Sequence, residues 1–329
     1  MKVWLFGLGG LVVMAACILG GVSSLHRHMR LDRQLVGAVN AHDAAQAERL
    51  LAAGANPNGR DLLTYYEGGG EPFTPPWYEK PLATLMHRPP REGDRYVGPT
   101  LLMIASYHGD LALTQSLLAH GADVKLRGTS IDYDGDTEPV SALYESLPMW
   151  LMEENQDKAV LSGKEAITLR LIASGVSVND LILGTSPLHL AAAGHKRRVV
   201  MALLDKGAKI NALDTEGRTP LLQATDCARP YGEYSYDTRT ALILIARGAE
   251  VNHQDDEGNT ALMHACDYGL TDVVRLLLAK GANIHLKNKD GGTALKIAEG
   301  SNGVSPTTDG HHVINNRAVI ALLKQGGAT

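Results

Sequence analysis

The chain has 329 residues, a formal net charge of -5 at pH 7 and a hydrophobic content of 44 %. The balance of acidic and basic residues excludes a strongly basic nucleic-acid binder and also a disordered polyanion. The three cysteines, Cys17, Cys227 and Cys266, lack the spacing of a metal site, so we predict no metal and no other cofactor.

The first 30 residues predict a membrane or export segment. Residues 3–22 carry no charged side chain over 20 positions, which is the length of a helix that crosses a bilayer. We favour an uncleaved single-span anchor within residues 1–30. A cleaved signal peptide is an alternative, because small residues at 21–23 suit a cleavage site. A lipoprotein signal ending at Cys17 is a third interpretation, since the residues before it resemble a bacterial lipobox.

The charges around this segment bear on its orientation. Lys2 precedes it, and Arg27, Arg30 and Arg33 follow it, an asymmetry that favours a cytoplasmic location for the rest of the chain. A short N-terminus led by lysine also resembles bacterial export signals, which would deliver the rest of the chain outside. We therefore predict a bacterial inner-membrane protein with both orientations open, and the periplasm after signal cleavage as the alternative.

A helix pair and a long insert come next. Residues 33–58 predict two helices, the second of which stops at Gly54. Residues 59–97 form an insert that contains six of the chain's aromatic side chains. These aromatics either pack back on the neighbouring helices, or Trp77 and Tyr78 anchor a binding partner, because Trp and Tyr are favoured at binding hot spots.

The middle of the chain predicts two further helix pairs, at 98–127 and 139–180. Between them, residues 128–138 hold a run of alternating aspartates. A calcium loop and a solvated acidic hairpin tip are the two interpretations, and the spacing departs from that of an EF-hand loop. In the second pair the helices are separated by extra residues, and we predict that this insert, 150–163, extends the first helix.

The clearest unit occupies residues 184–214. Ser186 predicts a helix cap and Pro187 the first helical position, where no N–H is needed. A short helix rich in alanine follows, then a second helix with an apolar stripe, which ends at Gly207. Neither helix is long enough to be stable alone, so the unit must stack on copies of itself.

Copies of this unit recur along the chain. A Ser or Thr cap opens every copy except the one at 33–58, and the caps are separated by 33 residues or by 33 plus an insertion. The caps are Thr100, Ser141, Ser186, Thr219, Thr260 and Thr293. Two further inserts, 227–236 and 301–312, fall between the helices of their units.

The unit of 33 residues, the opening T/S-P-L-H-x-A-A and the closing L-L-x-x-G-A-x-[VI]-N resemble the ankyrin repeat. The resemblance implies a mainly α fold: an ankyrin-repeat solenoid of about seven repeats within residues 31–329, preceded by one N-terminal hydrophobic helix. The predicted repeats are 33–58, 98–127, 139–180, 184–214, 215–255, 256–288 and 291–328.

The resemblance also implies a function. Ankyrin repeats bind other proteins through a concave face built from hairpin tips and first helices, so we predict a membrane-tethered scaffold and no enzyme. The partner-binding residues expected on this face are Tyr107, His108, Arg218, Asn259, Asp267 and Tyr268, together with Trp77 and Tyr78 of the insert. The family's conserved histidine matches His189, for which the resemblance implies a structural role between loops.

Two other functions compete with the scaffold. The aromatic and acidic insert loops could form a pocket, which would make the protein a sensor of a small molecule or an ion. A purely structural envelope protein is the third interpretation. Neither alternative involves nucleic acid, and the membrane contact would in each case run through residues 3–22.

Overall fold

We describe the protein from a computed structural model, which defines residues 27–61, 98–131, 137–147, 158–182, 184–226, 238–301, 304–305, 312–313 and 316–327. The chain divides into two compact units, Met1–Glu145 and Ser146–Thr329.

Several predicted features lie outside the described residues. They include the apolar segment 3–22, both aromatic anchor candidates of the insert, the aspartates at 132–136 and the insert 227–236. These predictions stay predictions. Within the described ranges, no helix combines the length and the apolar character that a bilayer crossing requires.

Unit 1 consists of antiparallel helix pairs and one hairpin. Its elements are α1 (27–40), α2 (Ala44–Ala52), α3 (Leu101–Tyr107), α4 (Leu111–Ala119), β1 (Arg127–Ile131) and β2 (Thr137–Ser141), followed by α5 (Ala142–Ser146) at the boundary with unit 2. The strands pair in antiparallel register, Arg127 with Ser141 and Ile131 with Thr137. The residues that the sequence assigns to a connector, 128–138, therefore contain most of a β-hairpin.

The two ends of the long insert are joined in unit 1. The N–H of Asp61 donates to the carbonyl of Pro99 at 3.1 Å, and the N–H of Leu101 donates to the carbonyl of Gly59 at 3.1 Å. The Arg60 guanidinium donates to the carbonyl of Gly98 at 2.8 Å. The insert therefore leaves and re-enters the fold at one place.

Unit 2 contains nine helices within its described residues. They are α6 (Lys158–Ala173), α7 (Pro187–Ala193), α8 (Arg197–Asp205), α9 (Pro220–Thr225), α10 (Arg239–Ala246), α11 (Ala261–Asp267), α12 (Thr271–Ala279), α13 (Ala294–Gly300) and α14 (Arg317–Gln325). Two short strands, β3 (Val304–Ser305) and β4 (His312–Val313), pair between α13 and α14, so the predicted insert 301–312 also holds a hairpin.

The helices of unit 2 form two layers. The first helices α7, α9, α11 and α13 pack against one another in chain order, and so do the second helices α6, α8, α10, α12 and α14. Small alanines such as Ala191 and Ala265, each 1 % exposed or less, let the first helices approach closely. Leucines and valines of the second helices, such as Leu203 and Val273, fill the space between the layers.

The predicted caps are confirmed at six of the first helices. The hydroxyls of Thr100, Ser141, Ser186, Thr219, Thr260 and Thr293 each accept the N–H three residues ahead. At the other end of α8, Gly207 has a φ of +84°, a backbone conformation that glycine adopts without strain. These local signals explain why the helices begin and end where the sequence predicts.

Asparagines link the loops of successive helix pairs. The side-chain oxygens of Asn179, Asn211 and Asn252 accept the N–H groups of Lys209, Glu250 and Asn283 at 2.7 to 3.0 Å. Each bond joins a loop to the loop one pair further on. The asparagine of the closing motif thus connects neighbouring helix pairs.

One prediction about helix length is corrected. The first helix of the pair at 139–180 is short and ends at Ser146, whereas the second helix, α6, has 16 residues. The described part of the insert 150–163 extends the N-terminus of the second helix. Residues 148–157 lie outside the described residues, and Lys158 to Gly163 form the first turns of α6.

Candidate partner-binding face

The predicted partner-binding residues of unit 2 occupy equivalent positions in successive helix pairs. Arg218 and Asn259 each precede the N-cap threonine of a first helix, and Asp267 and Tyr268 lie at the end of the first helix α11. These positions surround the core of alanines and leucines without belonging to it. We call the surface made by these loops and first-helix ends the loop face.

A polar network joins two of these residues. The Arg218 guanidinium lies 2.7 Å from Glu216 Oε2 and 3.6 Å from Asp226 Oδ2. The Tyr268 hydroxyl donates to Asp226 Oδ1 at 3.2 Å. Arg218 and Tyr268, which are 50 positions apart in the sequence, therefore meet through one carboxylate.

One of the hydrogen-bond donors of Arg218 is buried. Its side chain is 29 % exposed, yet its Nε is buried and has no hydrogen-bond partner among the described residues. A buried donor without a partner is costly, and most native structures avoid it. The terminal guanidinium nitrogens, which pair with Glu216 and Asp226, are the part of Arg218 that reaches the loop face.

The other two residues of the loop face in unit 2 bind neighbouring repeats. The Ser301 hydroxyl donates to Asp267 Oδ1. Asn259 Oδ1 accepts from the side-chain amide of Asn288 at 3.0 Å. Both contacts link one helix pair to the next, so Asp267 and Asn259 contribute to the stacking as well as to the surface.

His189 supports the loop that carries Arg218. Its Nε2 donates to the Arg218 carbonyl at 3.0 Å, and its Nδ1 lies 2.7 Å from the Ser186 hydroxyl. Burial lowers the pKa of His189, which is only partly offset by its bond to the Arg218 carbonyl and by the charge of Asp214. The structural role between loops that the sequence implied is confirmed by these contacts.

His264 lies on α11 and faces Asp255. Its Nε2 is buried without a hydrogen-bond partner among the described residues and lies 4.0 Å from Asp255 Oδ2. Burial would raise the pKa of Asp255, but the facing His264 and the N–H groups of Asn259 and Glu257 lower it overall. Asp255 is therefore held in its charged form at the base of the loop.

Tyr107 and His108 lie together in unit 1, at the end of α3. Tyr107 is 52 % exposed. The His108 ring contacts both Tyr107 and His42 edge to face, with centroids 5.1 and 4.6 Å apart. His42 Nδ1 lies 3.7 Å from Asp110 Oδ2. His42 and Asp110 thus lie beside the two predicted residues.

Sequence reasoning missed Asp226, although a signal for it exists. Asp226 follows its cap, Thr219, by seven residues, as Asp267 follows Thr260. The insert that begins at residue 227 hid this equivalence. Of the metal-ligating residue types in the described ranges, no group of three or more could hold a metal ion.

Family models match three stretches of the chain. A model of many ankyrin repeats matches residues 244–298, a model of three ankyrin repeats matches 157–232, and a single-repeat model matches 98–129. The chain contains ankyrin repeats. The matched ranges agree with the stacked helix pairs α6 to α9 and α10 to α13, and with α3 and α4.

A viral protein is also similar to this ankyrin repeat chain. A putative ankyrin repeat protein of Fowlpox virus (strain NVSL), FPV115, is 36 % identical over 121 residues, which are 35 % of this chain and 22 % of the viral protein. The match therefore spans about a fifth of that relative's length. Ankyrin repeats generally mediate protein–protein interaction and are typically non-enzymatic scaffolds.

Proposed function

We propose that this ankyrin repeat protein is a membrane-tethered scaffold that binds a partner protein through the loop face. The observation that carries the proposal is the network of Glu216, Arg218, Asp226 and Tyr268. It places an arginine and a tyrosine of adjacent repeats on one carboxylate, that of Asp226. Arg and Tyr are the residue types that most often dominate binding energy at protein interfaces.

Charge favours a partner with exposed basic residues. Between residues 214 and 226 and between 255 and 267, Arg218 is the sole lysine or arginine, whereas seven acids occur. Asp226 and Asp267 are both half-buried on the loop face. A basic segment of a partner would meet complementary charge there, which speeds association and excludes acidic partners.

The test is a comparison of three variants of the full chain. Partners are cross-linked to the wild-type chain in the producing cell and identified, and the isolated partner is then titrated with each variant. We expect Arg218→Ala and Tyr268→Ala each to weaken binding about tenfold or more, because hot-spot truncations cost at least this much.

Arg247→Ala is the matched control. Arg247 also forms an ion pair, with Asp205 of the preceding repeat at 2.9 Å, but it lies at the end of a second helix. Its replacement should leave the affinity unchanged, while circular dichroism verifies that all variants are folded. Equal weakening by all three variants, or by none, would contradict the loop face as the binding surface.

The proposed tether is residues 3–22, and its test is independent of the partner. A reporter that is active only outside the cytoplasm is fused after Thr329, and the N-terminus of the mature protein is sequenced. Met1 intact together with membrane association would support the anchor. A new N-terminus near Ser24 or at Cys17 would replace it with a cleaved or a lipid-modified signal.

The sensor remains a second candidate that rests on the inserts alone. It predicts stabilisation against heat by metabolites or by calcium, which a scaffold lacks. A structural envelope role predicts instead that charge reversal at Arg218 and Asp226 leaves the cell's phenotype unchanged.

A further inference from the structure

The second-helix layer of unit 2 carries a large excess of exposed positive charge. On α6, α8, α10, α12 and α14 and at their caps, ten lysines and arginines are exposed against two exposed acids, Asp205 and Asp272. This excess occurs in a chain whose net charge is -5. The second helices therefore carry an excess of positive charge, whereas the stretches 214–226 and 255–267 of the loop face carry an excess of negative charge.

Five of these cations are not neutralised by neighbours. Arg198 lies 3.4 Å from Glu165, and Arg247 lies 2.9 Å from Asp205. In contrast, Arg170, Arg197, Lys206, Arg275 and Lys280 form no ion pair with any residue that the structure describes. We call these five residues the basic layer.

Favourable interactions with helix dipoles explain some of the cations in the basic layer but not all of them. Lys206 and Lys280 lie at C-terminal caps, where a cation interacts favourably with the helix dipole. Arg197 is the first residue of α8, and the first turn of that helix holds no acid. A cation at a helix N-terminus opposes the dipole, so another interaction is needed to explain it.

Within the described residues, the basic layer has few of the exposed apolar or aromatic side chains that anchor protein interfaces. Tyr107, Leu181, Met201 and Leu213 are the exposed large hydrophobic residues of the described chain, and of these Met201 alone lies on a second helix. Protein interfaces are centred on buried aromatic or apolar anchors. Dispersed cations without such anchors suit a polyanionic surface that is bound through charge rather than through shape.

We propose that the basic layer docks onto the anionic headgroups of a lipid bilayer. The choice of lipid over nucleic acid rests on the membrane tether proposed above, which would hold the layer beside headgroups at a high effective concentration. Each Lys or Arg near an anionic bilayer strengthens attachment about fivefold. Docking would fix the orientation of unit 2 and turn its acidic loop face away from the like-charged lipid.

The experiment measures how close the layer comes to lipid. A fluorescent non-canonical amino acid replaces Met201 in the full chain, which is reconstituted into vesicles that carry a headgroup-attached quencher. One set of vesicles is phosphatidylcholine alone, and the other also contains phosphatidylglycerol. We expect quenching in the anionic vesicles alone, and relief of that quenching by salt, because salt screens exposed charges.

Two triple variants separate the layer from net charge. R197Q/R275Q/K280Q removes three cations of the basic layer and should lower the ratio of docked to undocked chain on the order of 100-fold. K287Q/K289Q/K296Q removes the same charge from exposed positions on a loop and a first helix, and should preserve the quenching. Circular dichroism of both variants verifies the fold.

Three results would overturn the proposal. The first is equal quenching in the two kinds of vesicle. The second is an equal loss of quenching in the two triple variants. The third is displacement of the basic layer from anionic vesicles, seen as a loss of quenching, when a stoichiometric amount of duplex DNA is added. Failure of the tether gives a different result, since the chain would then separate from phosphatidylcholine vesicles. In that case, binding to added anionic vesicles that depends on the basic layer would still support docking.

Discussion

At the scale of single residues, His189 couples two repeats through one neutral imidazole. It faces the Ser186 cap on its own helix and donates to the carbonyl of Arg218 in the next repeat. Because Arg218 also carries the network on the loop face, His189 helps to position that network. Since the imidazole is buried, we expect the stability of unit 2 to depend on pH.

Burial lowers the pKa of His189 below 6.5, so in mildly acidic solution the unfolded chain binds a proton that the folded chain does not. The contribution of neutral His189 is fully present above the unfolded pKa and is lost as the pH falls towards the folded pKa. We expect His189→Gln to cost about 1 to 2 kcal/mol of unfolding free energy at about pH 8, with a smaller cost at about pH 5.

Urea titrations of both proteins at the two pH values measure these costs. The remaining histidines are common to both chains, so their titration cancels in the difference. A cost that is equal at both pH values would show that protonation of His189 is not linked to folding.

At the scale of elements, the loops are tightly packed at some glycines and open at others. A Cβ on Gly258, whose φ is +77°, would lie 3.0 Å from the Asn288 Cα in the next loop. A Cβ on Gly281, whose φ is +83°, would meet no atom within 4 Å. The two positions share one backbone conformation and differ in their surroundings.

We therefore expect unequal costs for the same substitution. Gly281→Ala should lower the unfolding free energy by about 1 kcal/mol, the cost of a side chain in the left-handed region. Gly258→Ala should cost about 1 to 3 kcal/mol more, because the loop of the next repeat must also move. Chemical denaturation measures both, and Gly300→Ala, at the end of α13 with open space around it, serves as the control. Equal costs at 258 and 281 would mean that the loops are not packed closely.

At the scale of the whole molecule, the long insert begins and ends at one hydrogen-bonded junction in unit 1. The bonds between residues 59–61 and 98–101 join its two ends. Leu101 and Leu113, both 0 % exposed, complete the core beside this junction. We expect replacement of residues 62–97 by a two-residue Asn-Gly turn to leave the helices intact.

The unfolding free energy of this shortened chain should change by less than about 3 kcal/mol, because loop length has a weak effect on closure entropy. Thermal unfolding followed by circular dichroism measures the change. A large loss of stability would show that the aromatic residues of the insert pack on the repeats, and it would favour that interpretation over the partner anchor.

The sequence predicted the helix pairs well and the contacts between them poorly. Caps such as Ser186 and stops such as Gly207 act within three or four residues, so their pattern is visible in the chain. The extension of α6 was missed, because residues 150–163 alone do not reveal which helix they extend. A hairpin tip was one interpretation of the acidic run at 128–138, but the register that pairs β1 with β2 was not predicted. The face positions of Arg218 and Tyr268 followed from the repeat register, but their meeting at Asp226 did not.

The sequence shows that this chain contains repeats, where most of its helices begin and which face of each helix is apolar. These properties are visible in the sequence because they depend on neighbours along the chain. Only the tertiary structure decided which polar side chains meet, how the loops interlock through asparagines, and how charge divides between the loop face and the second helices. The physical reason is that stacking brings together residues 30 to 50 positions apart, whose pairing depends on how the repeats pack.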